Sequence, residues 1–233
     1  MRRVFTRPQK GFVFRKRLFD EFQYLGVESL GIVAFISIFM GAVVAIQTAY
    51  NIANPLVSLS LIGFTTRQSI ILEFSPTMIS LILAGKVGSR IASEIGTMRV
   101  TEQIDALEIM GVNSANFLIL PKVVASLLIN PILIIISMWL GLVGGWAAIM
   151  VTGLCTSTDF VTGLRDTFEE FSIFYALIKT VIFAFIISTI SSFHGYETEG
   201  GALEVGQAST KAVVVSSILI ILFNLILTQL LLT

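Results

Sequence analysis

Apolar residues run through this chain in long stretches that few polar positions interrupt. The first stretch is about Leu30 to Tyr50, "LGIVAFISIFMGAVVAIQTAY". The second is about Gln68 to Gly85, broken by Glu73 and Pro76. The third, about Phe117 to Val151, has Pro121 near its start and Pro131 inside it. The fourth runs about Phe171 to Phe193 and the fifth about Lys211 to Leu232. A bilayer-spanning helix needs about 20 apolar residues, so the pattern predicts five spans. The third is longer than a roughly 30 Å hydrocarbon core requires at a 1.5 Å rise per residue. It tilts, kinks or protrudes, or it splits into two helices. Ahead of the spans, Phe14, Leu18, Phe22 and Leu25 recur three or four apart and share one helical face. Arg15, Lys16 and Arg17 flank that face. This predicts a helix lying in the membrane interface within residues 1–27, the alternative being a disordered basic tail.

One polar segment breaks the pattern: "EIGTMRVTEQIDALEIMGV", Glu94 to Val112. Thr101 is placed to N-cap a helix whose first turn carries Glu102 and Asp105, where the helix dipole favours negative charge. Gly111 is a C-terminal stop. A helix over Glu102 to Met110 follows. Its acidic stripe is Glu102, Asp105 and Glu108. An apolar stripe of Ile104, Leu107 and Met110 is offset from it. A helix this short is marginal alone and must dock against something. Either it covers its own transmembrane ends, or it seats in a partner's groove with basic rims.

Composition agrees. Of 233 residues, 13% are charged and the mean hydropathy is +0.90. Soluble domains carry roughly 25% charged residues. Charge also orients the chain. Arg2, Arg3, Arg7, Lys10, Arg15, Lys16 and Arg17 hold seven of the 15 basic charges. With the N-terminus inside, Lys86, Arg90, Arg99, Lys122 and Lys211 join them, and only Arg67, Arg165 and Lys179 lie toward the other side. The positive-inside rule then puts the C-terminus outside, with loops of about 86–116 and 194–210 in the cytoplasm. The outer loops are about 51–67 and 152–170. No clean apolar core and cleavage site follow the basic run, so it does not read as a secretory signal. The chain reads as one all-α region over 1–233, with an interfacial part (1–27) and a five-span part (28–233). No internal repeat is visible.

Little in the sequence suggests catalysis. Cys155 is the only cysteine and His194 the only histidine, which leaves no usual zinc constellation. "HGYETEGG" places His194 near Glu197 and Glu199 at a spacing that fits no zinc motif. "ILAGKVGSR" fails as a phosphate-binding loop, because Ser80 stands where the first Gly belongs and Val87 follows the Lys. No nucleophile elbow is present. Glu73 is the exception of interest. A carboxylate within a span faces the protein interior or a wet cavity. Pro76 frees a backbone carbonyl one turn back and can kink the helix. Gln47 and Tyr50 are candidate cavity-lining groups or interfacial anchors.

"AGKVGSRIASEIGTMRVTEQIDALEIMGV" (Ala84 to Val112) and "GYETEGGALEVGQASTKAVVVSS" (Gly195 to Ser217) resemble the MlaE-type permeases, the membrane subunits of ABC transporters that move lipids with MCE-domain proteins. The resemblance implies a phospholipid permease in a bacterial inner membrane. It implies a homodimer, a cytoplasmic ABC ATPase and a periplasmic MCE-domain protein as partners, and no nucleic acid. ATP and Mg would belong to the ATPase; this chain would bind no cofactor and perform no covalent chemistry. The acidic insert would be the coupling helix, with Glu94, Thr97, Arg99, Glu102, Asp105 and Leu107 at or beside the joint and Glu108 on its acidic stripe. Glu73, Pro76, Gln47 and Tyr50 would be the substrate-facing set. The family pattern Arg-Glu-x-Gly-Pro reads "LEFSP" here: Leu72 stands for the Arg and Ser75 for the Gly. A role requiring an Arg–Glu pair is therefore in doubt. The alternative function is a proton-coupled secondary transporter using Glu73.

Overall fold

The computed structural model describes residues 11–52 and 58–232. The basic residues Arg2, Arg3, Arg7 and Lys10 lie outside the described residues. Regular structure among the described residues is helical throughout. Helix α1 (Gly11–Phe22) passes through a π-helical turn (Gln23–Val27) into α2 (Glu28–Asn51). α3 (Ser60–Ser69), a π segment (Ile70–Met78), α4 (Ile79–Leu83), a second π turn (Ala84–Gly88) and α5 (Ser89–Val100) follow without a break. α6 (Gln103–Ile109) is short; α7 (Ser114–Thr152) is the longest helix. α8 (Ser157–Arg165), α9 (Phe171–Tyr196) and α10 (Ala202–Leu232) complete the chain.

Five helical stretches among the described residues are long and apolar enough to cross a bilayer: Phe12–Asn51, Ser60–Val100, Ser114–Thr152, Phe171–Tyr196 and Ala202–Leu231. The protein is a multi-pass all-α membrane protein. The segment around Pro131 is one helix rather than two. The widened π segment contains Pro76, which has no N–H to offer the carbonyl four residues back. The other two π turns each contain glycine, where the helical ladder is least constrained.

Several expected loops are shorter than hydropathy implied. Helix begins at Ser60 rather than near Gln68, and it continues to Val100 rather than ending near Gly85. In α5, Ile91, Ala92, Ile95 and Gly96 are buried. They fall at i, i+1, i+4 and i+5, so they form one face, while Glu94 and Thr97 are exposed. A hydropathy window averages the two faces and ends the segment early. The outer segment likewise contains α8, and the turn between α9 and α10 is only residues 197–201.

The chain clusters into two compact units. One comprises residues up to Ser29, Ser80–Asn130 and residues from Val181; the other is Leu30–Ile79 with Pro131–Thr180.

In the second unit, α3 and α8 meet through a reciprocal pair of glycines. A Cβ on Gly163 would stand 1.8 Å from the Ser60 carbonyl oxygen, and one on Gly63 would stand 2.2 Å from that of Phe160. Only hydrogen fits at either position. Arg67, 3% exposed, closes the joint. Its guanidinium donates to the carbonyls of Leu164 (2.7 Å), Asp166 (2.8 Å) and Thr167 (3.2 Å). Those carbonyls lie at and just beyond the C-terminal end of α8, where intrahelical donors run out and a cation suits the dipole. Beside it Ala45, Ile62, Ile149, Cys155 and Phe160 form an apolar cluster. Burial, and secondarily Asp159, push the Cys155 thiol above its ordinary pKa.

In the first unit, α5 packs on α9 and α10. Ser209 Oγ donates to the Ser89 carbonyl at 3.1 Å, and Gly195 lies against the Ala92 backbone. Glu28 binds this face from the start of α2. Its backbone carbonyl accepts from Lys86 Nζ, and its carboxylate pairs with Arg90 at 2.6 Å.

Candidate functional sites

Two places collect the residues singled out from the sequence, one in each unit. The first is the elbow from α5 through α6 to α7. α5 ends as Thr101 N–H bonds the Thr97 carbonyl and Glu102 N–H bonds that of Arg99. Glu102 then takes a left-handed conformation (φ 60°, ψ 12°), and its own carbonyl accepts from Ala106 N–H to open α6. Thr101 therefore does not cap α6 as expected: its hydroxyl turns back to the Thr97 carbonyl at 2.7 Å. A residue at the C-terminal end of one helix has an unbonded carbonyl within reach, and this competes with capping of the next. The stop at Gly111 is as expected. With φ +75°, it lets Gly111 N–H bond the Glu108 carbonyl and Val112 N–H bond that of Leu107, a Schellman closure.

One ion pair and two hydrogen bonds brace the elbow. Arg99 contacts Asp105 at 2.5 Å. Glu108 accepts from Ser114 Oγ at 2.8 Å and from the Tyr196 hydroxyl at 3.1 Å. All three residues of the acidic stripe are exposed, but Glu108 is also tied to Ser114 and Tyr196 and Asp105 to Arg99. The expected apolar stripe is divided. Ile104 is fully buried and Leu107 partly so, but Met110 is 68% exposed and its neighbour Ile109 is 88% exposed. Chain reversal at Met110 and Gly111 carries that end of the helix off the packed face. Ile109, which the sequence pattern passes over, becomes the most prominent apolar tip. Glu94 is not on the elbow's outer surface. It pairs with Lys122 at 2.8 Å, and Lys122, 2% exposed, also holds Glu21 at 2.5 Å.

The second site is Glu73 on the π segment. Lys179 Nζ from α9 lies 2.8 Å from Glu73 Oε1, and Thr77 Oγ1 donates to Oε2 at 3.2 Å. The lysine is fully buried; the glutamate side chain is 42% exposed. Lys179 also lies 4.4 Å from the Tyr175 ring centroid, one turn back on α9. The carbonyl that Pro76 fails to serve in α-helical register belongs to Leu72, and Lys179 Nζ donates to it at 3.4 Å. One ammonium therefore meets the carboxylate and the proline-perturbed carbonyl together. The doubt raised by Leu72 is answered in part: the cation opposite Glu73 comes from α9 rather than from the adjacent residue. Ser75 also finds a role, accepting from Ser137 Oγ at 3.2 Å; Ser137 in turn lies 2.8 Å from Ser37 Oγ.

Charge counting along the sequence places Lys179 toward the outer side; the structure adds that it is buried and paired with Glu73. Arg67 and Lys122 are likewise buried. The signal was present: a lone Lys inside "FSIFYALIKTVIFAFIIS" implies a partner by the cost of an unpaired charge in a span. Gln47 and Tyr50 are exposed on α2, Tyr50 at 82%. They line neither the cavity beside Ser37, Ser75 and Ser137 nor the cleft beside Arg17 and Arg90.

Comparison with known proteins adds independent observations. The family model described as Permease MlaE matches residues 18–230. A probable ABC transporter permease protein of Rickettsia bellii is 39% identical over 207 residues, covering 89% of this chain and 80% of the relative. One of Synechocystis is 33% identical over 227 residues, covering 97% and 86%. Protein TRIGALACTOSYLDIACYLGLYCEROL 1, chloroplastic, of Arabidopsis thaliana is 32% identical over 226 residues, covering 97% of this chain and 64% of that protein.

Proposed function

Because this chain belongs to the MlaE permease family, we propose that it is the membrane subunit of an ABC transporter that moves phospholipids between the bacterial inner membrane and an MCE-domain partner in the periplasm. A separate cytoplasmic ATPase, with its own ATP and Mg, supplies the work. The chain acts as a homodimer and catalyses no covalent step. The observation that carries the reading is the α6 elbow. It is a two-turn helix joining two long candidate spans, braced by Arg99–Asp105 and by Glu108 with Ser114 and Tyr196. It presents exposed Ile109 and Met110 beside exposed Glu102 and Asp105. A rigid, acidic, apolar-tipped helix suits a groove with basic rims, and bracing converts push at its tip into motion of α5 and α7.

Glu94, Thr97, Arg99 and Leu107 support that joint: Arg99 orients Asp105, Leu107 closes the helix end, and Glu94 anchors α5 through Lys122. Glu73 and Pro76 form the substrate-facing part, with Lys179 setting the carboxylate's position. Gln47 and Tyr50 remain candidate lining residues on their exposed face. A lipid substrate is supported by the family resemblance and by one relative's name, which is that of a glycolipid. The proton-linked alternative is disfavoured, since Glu73 is held by a lysine with no exposure of its own.

The test is co-purification of the tagged chain from its native membrane in mild detergent, with proteins and lipids identified by mass spectrometry. The expected outcome is an ATPase, an MCE-domain protein and phospholipid. Charge reversal of Glu102 and Asp105 together should lower ATPase recovery at least about tenfold, the effect of losing one charged interfacial pair, while membrane insertion is unchanged. ATPase recovered at wild-type levels from that variant would overturn the docking assignment.

A further inference from the structure

We propose that the first unit carries a binding site for the headgroup of a zwitterionic phospholipid bearing a primary amine, separate from the Glu73 site. The site is an open cleft of about 450 Å³ among α1, the adjoining π turn, α5 and the start of α7. Two guanidiniums flank it, each laid over an aromatic ring. Arg17 is 3.7 Å from the Phe117 ring centroid, and Arg90 is 4.4 Å from that of Tyr24. Stacking of this kind fixes the plane of the fork; Arg17 Nη1 donates to the Phe117 carbonyl at 3.4 Å and Arg90 Nη1 to Glu28 at 2.6 Å, and the other N–H groups of each fork are the ones offered to a phosphate.

Three carboxylates, Asp20, Glu21 and Glu94, line the same cleft. Lys122 holds Glu21 and Glu94 from its buried position. Asp20 is exposed and forms no ion pair among the described residues. The lining thus sets Arg17 and Arg90 against Asp20, Glu21 and Glu94, with Lys122 behind Glu21 and Glu94 and Glu28 paired to Arg90. A cleft with separated signs and no excess of cations gives no net attraction to an anion, but it matches a phosphate joined to an ammonium. Carboxylates accept N–H bonds from a primary ammonium. A quaternary ammonium would want open aromatic faces, and Tyr24 is already covered by Arg90. Met98, Leu118 and Pro121 complete the wall with apolar surface for the glycerol and first methylenes. On α1, the helix that carries Arg17 and Asp20, Phe12 and Phe19 are exposed apolar surface.

Native mass spectrometry of the full chain in detergent, titrated with dioctanoyl phosphatidylethanolamine, tests this. Wild type should retain the lipid about tenfold better than Arg17→Gln, and better than Asp20→Asn by a similar factor, each removing one charge-assisted contact. Asp20→Asn breaks no salt bridge among the described residues and removes only the longer-range attraction of Asp20 for Arg17, so an unchanged unfolding temperature in detergent is expected and separates lost binding from misfolding. Dioctanoyl phosphatidylglycerol and phosphatidylcholine should bind wild type as weakly as the variants bind phosphatidylethanolamine. A photoreactive residue at Met98 should capture the lipid in the purified chain with no ATPase present, so the result is independent of the transport reading. Equal retention by wild type and both variants, equal binding of phosphatidylglycerol, or equal displacement by soluble phosphoethanolamine would each overturn the proposal.

Discussion

Lys179 shows how much rests on a single buried charge. An ammonium with no exposure costs several kcal/mol to desolvate, and Glu73, Tyr175 and the Leu72 carbonyl repay that together. The two partners are unequal, because Glu73 keeps 42% of its side-chain exposure. Removing the carboxylate strands a buried cation; removing the lysine leaves a carboxylate with some access to its surroundings. Glu73→Gln is therefore expected to destabilise the purified protein by about 3–5 kcal/mol, and Lys179→Met by distinctly less. The double variant should recover most of the loss, and thermal unfolding in detergent checks the order. Equal effects of the two single changes would mean that Lys179 draws its stability from the carbonyl and ring rather than from Glu73.

At the scale of elements, glycine decides the closest contact. The α3–α8 joint brings backbone to within van der Waals distance at Gly63 and Gly163, and Arg67 then staples the end of α8. Gly163→Ala must drive the helices apart, because its methyl would meet a carbonyl rather than a flexible side chain. A loss of about 1–3 kcal/mol is expected, read as a lower unfolding temperature. Gly85→Ala is the comparison: nothing lies within 4 Å of its Cβ position, and its effect should be small. The elbow at Glu102 works by the opposite means. There a residue with a side chain is held at φ 60°, a conformation that costs it of order 1 kcal/mol, and the turn persists because α5, α6 and α7 are braced on both sides of it.

For the whole molecule, the remaining question is orientation. The proposed orientation, argued from the charge bias, has α6 in the cytoplasm and α8 outside. Single cysteines at Ile109 and at Thr158, both exposed, report it in a Cys155→Ser background. A membrane-impermeant maleimide applied to cells from which any outer membrane has been removed should label Thr158→Cys and spare Ile109→Cys until the membrane is opened. The reverse pattern would invert the topology and put the elbow out of reach of any cytoplasmic ATPase. Wild-type Cys155 should react slowly near neutral pH, because burial keeps its thiol protonated there.

The sequence by itself determined the class of protein, the number of spans and the existence of the short helix. All three depend on local quantities: apolar length, a charge-rich interruption, and a glycine where the chain must reverse. It also determined that Glu73 and Pro76 belong to an unusual turn, since a proline leaves a carbonyl unserved wherever the helix lies. Only the tertiary structure decided which cation meets that carboxylate. Glu73 and Lys179 are 106 positions apart, and no local pattern encodes a contact between them. Tertiary packing also decided which acidic residue of the insert is tied to another helix: Glu108 accepts from the Tyr196 hydroxyl. It extended α5 past the apolar window as well: one buried face is enough to stabilise a helix, while a hydropathy average counts both.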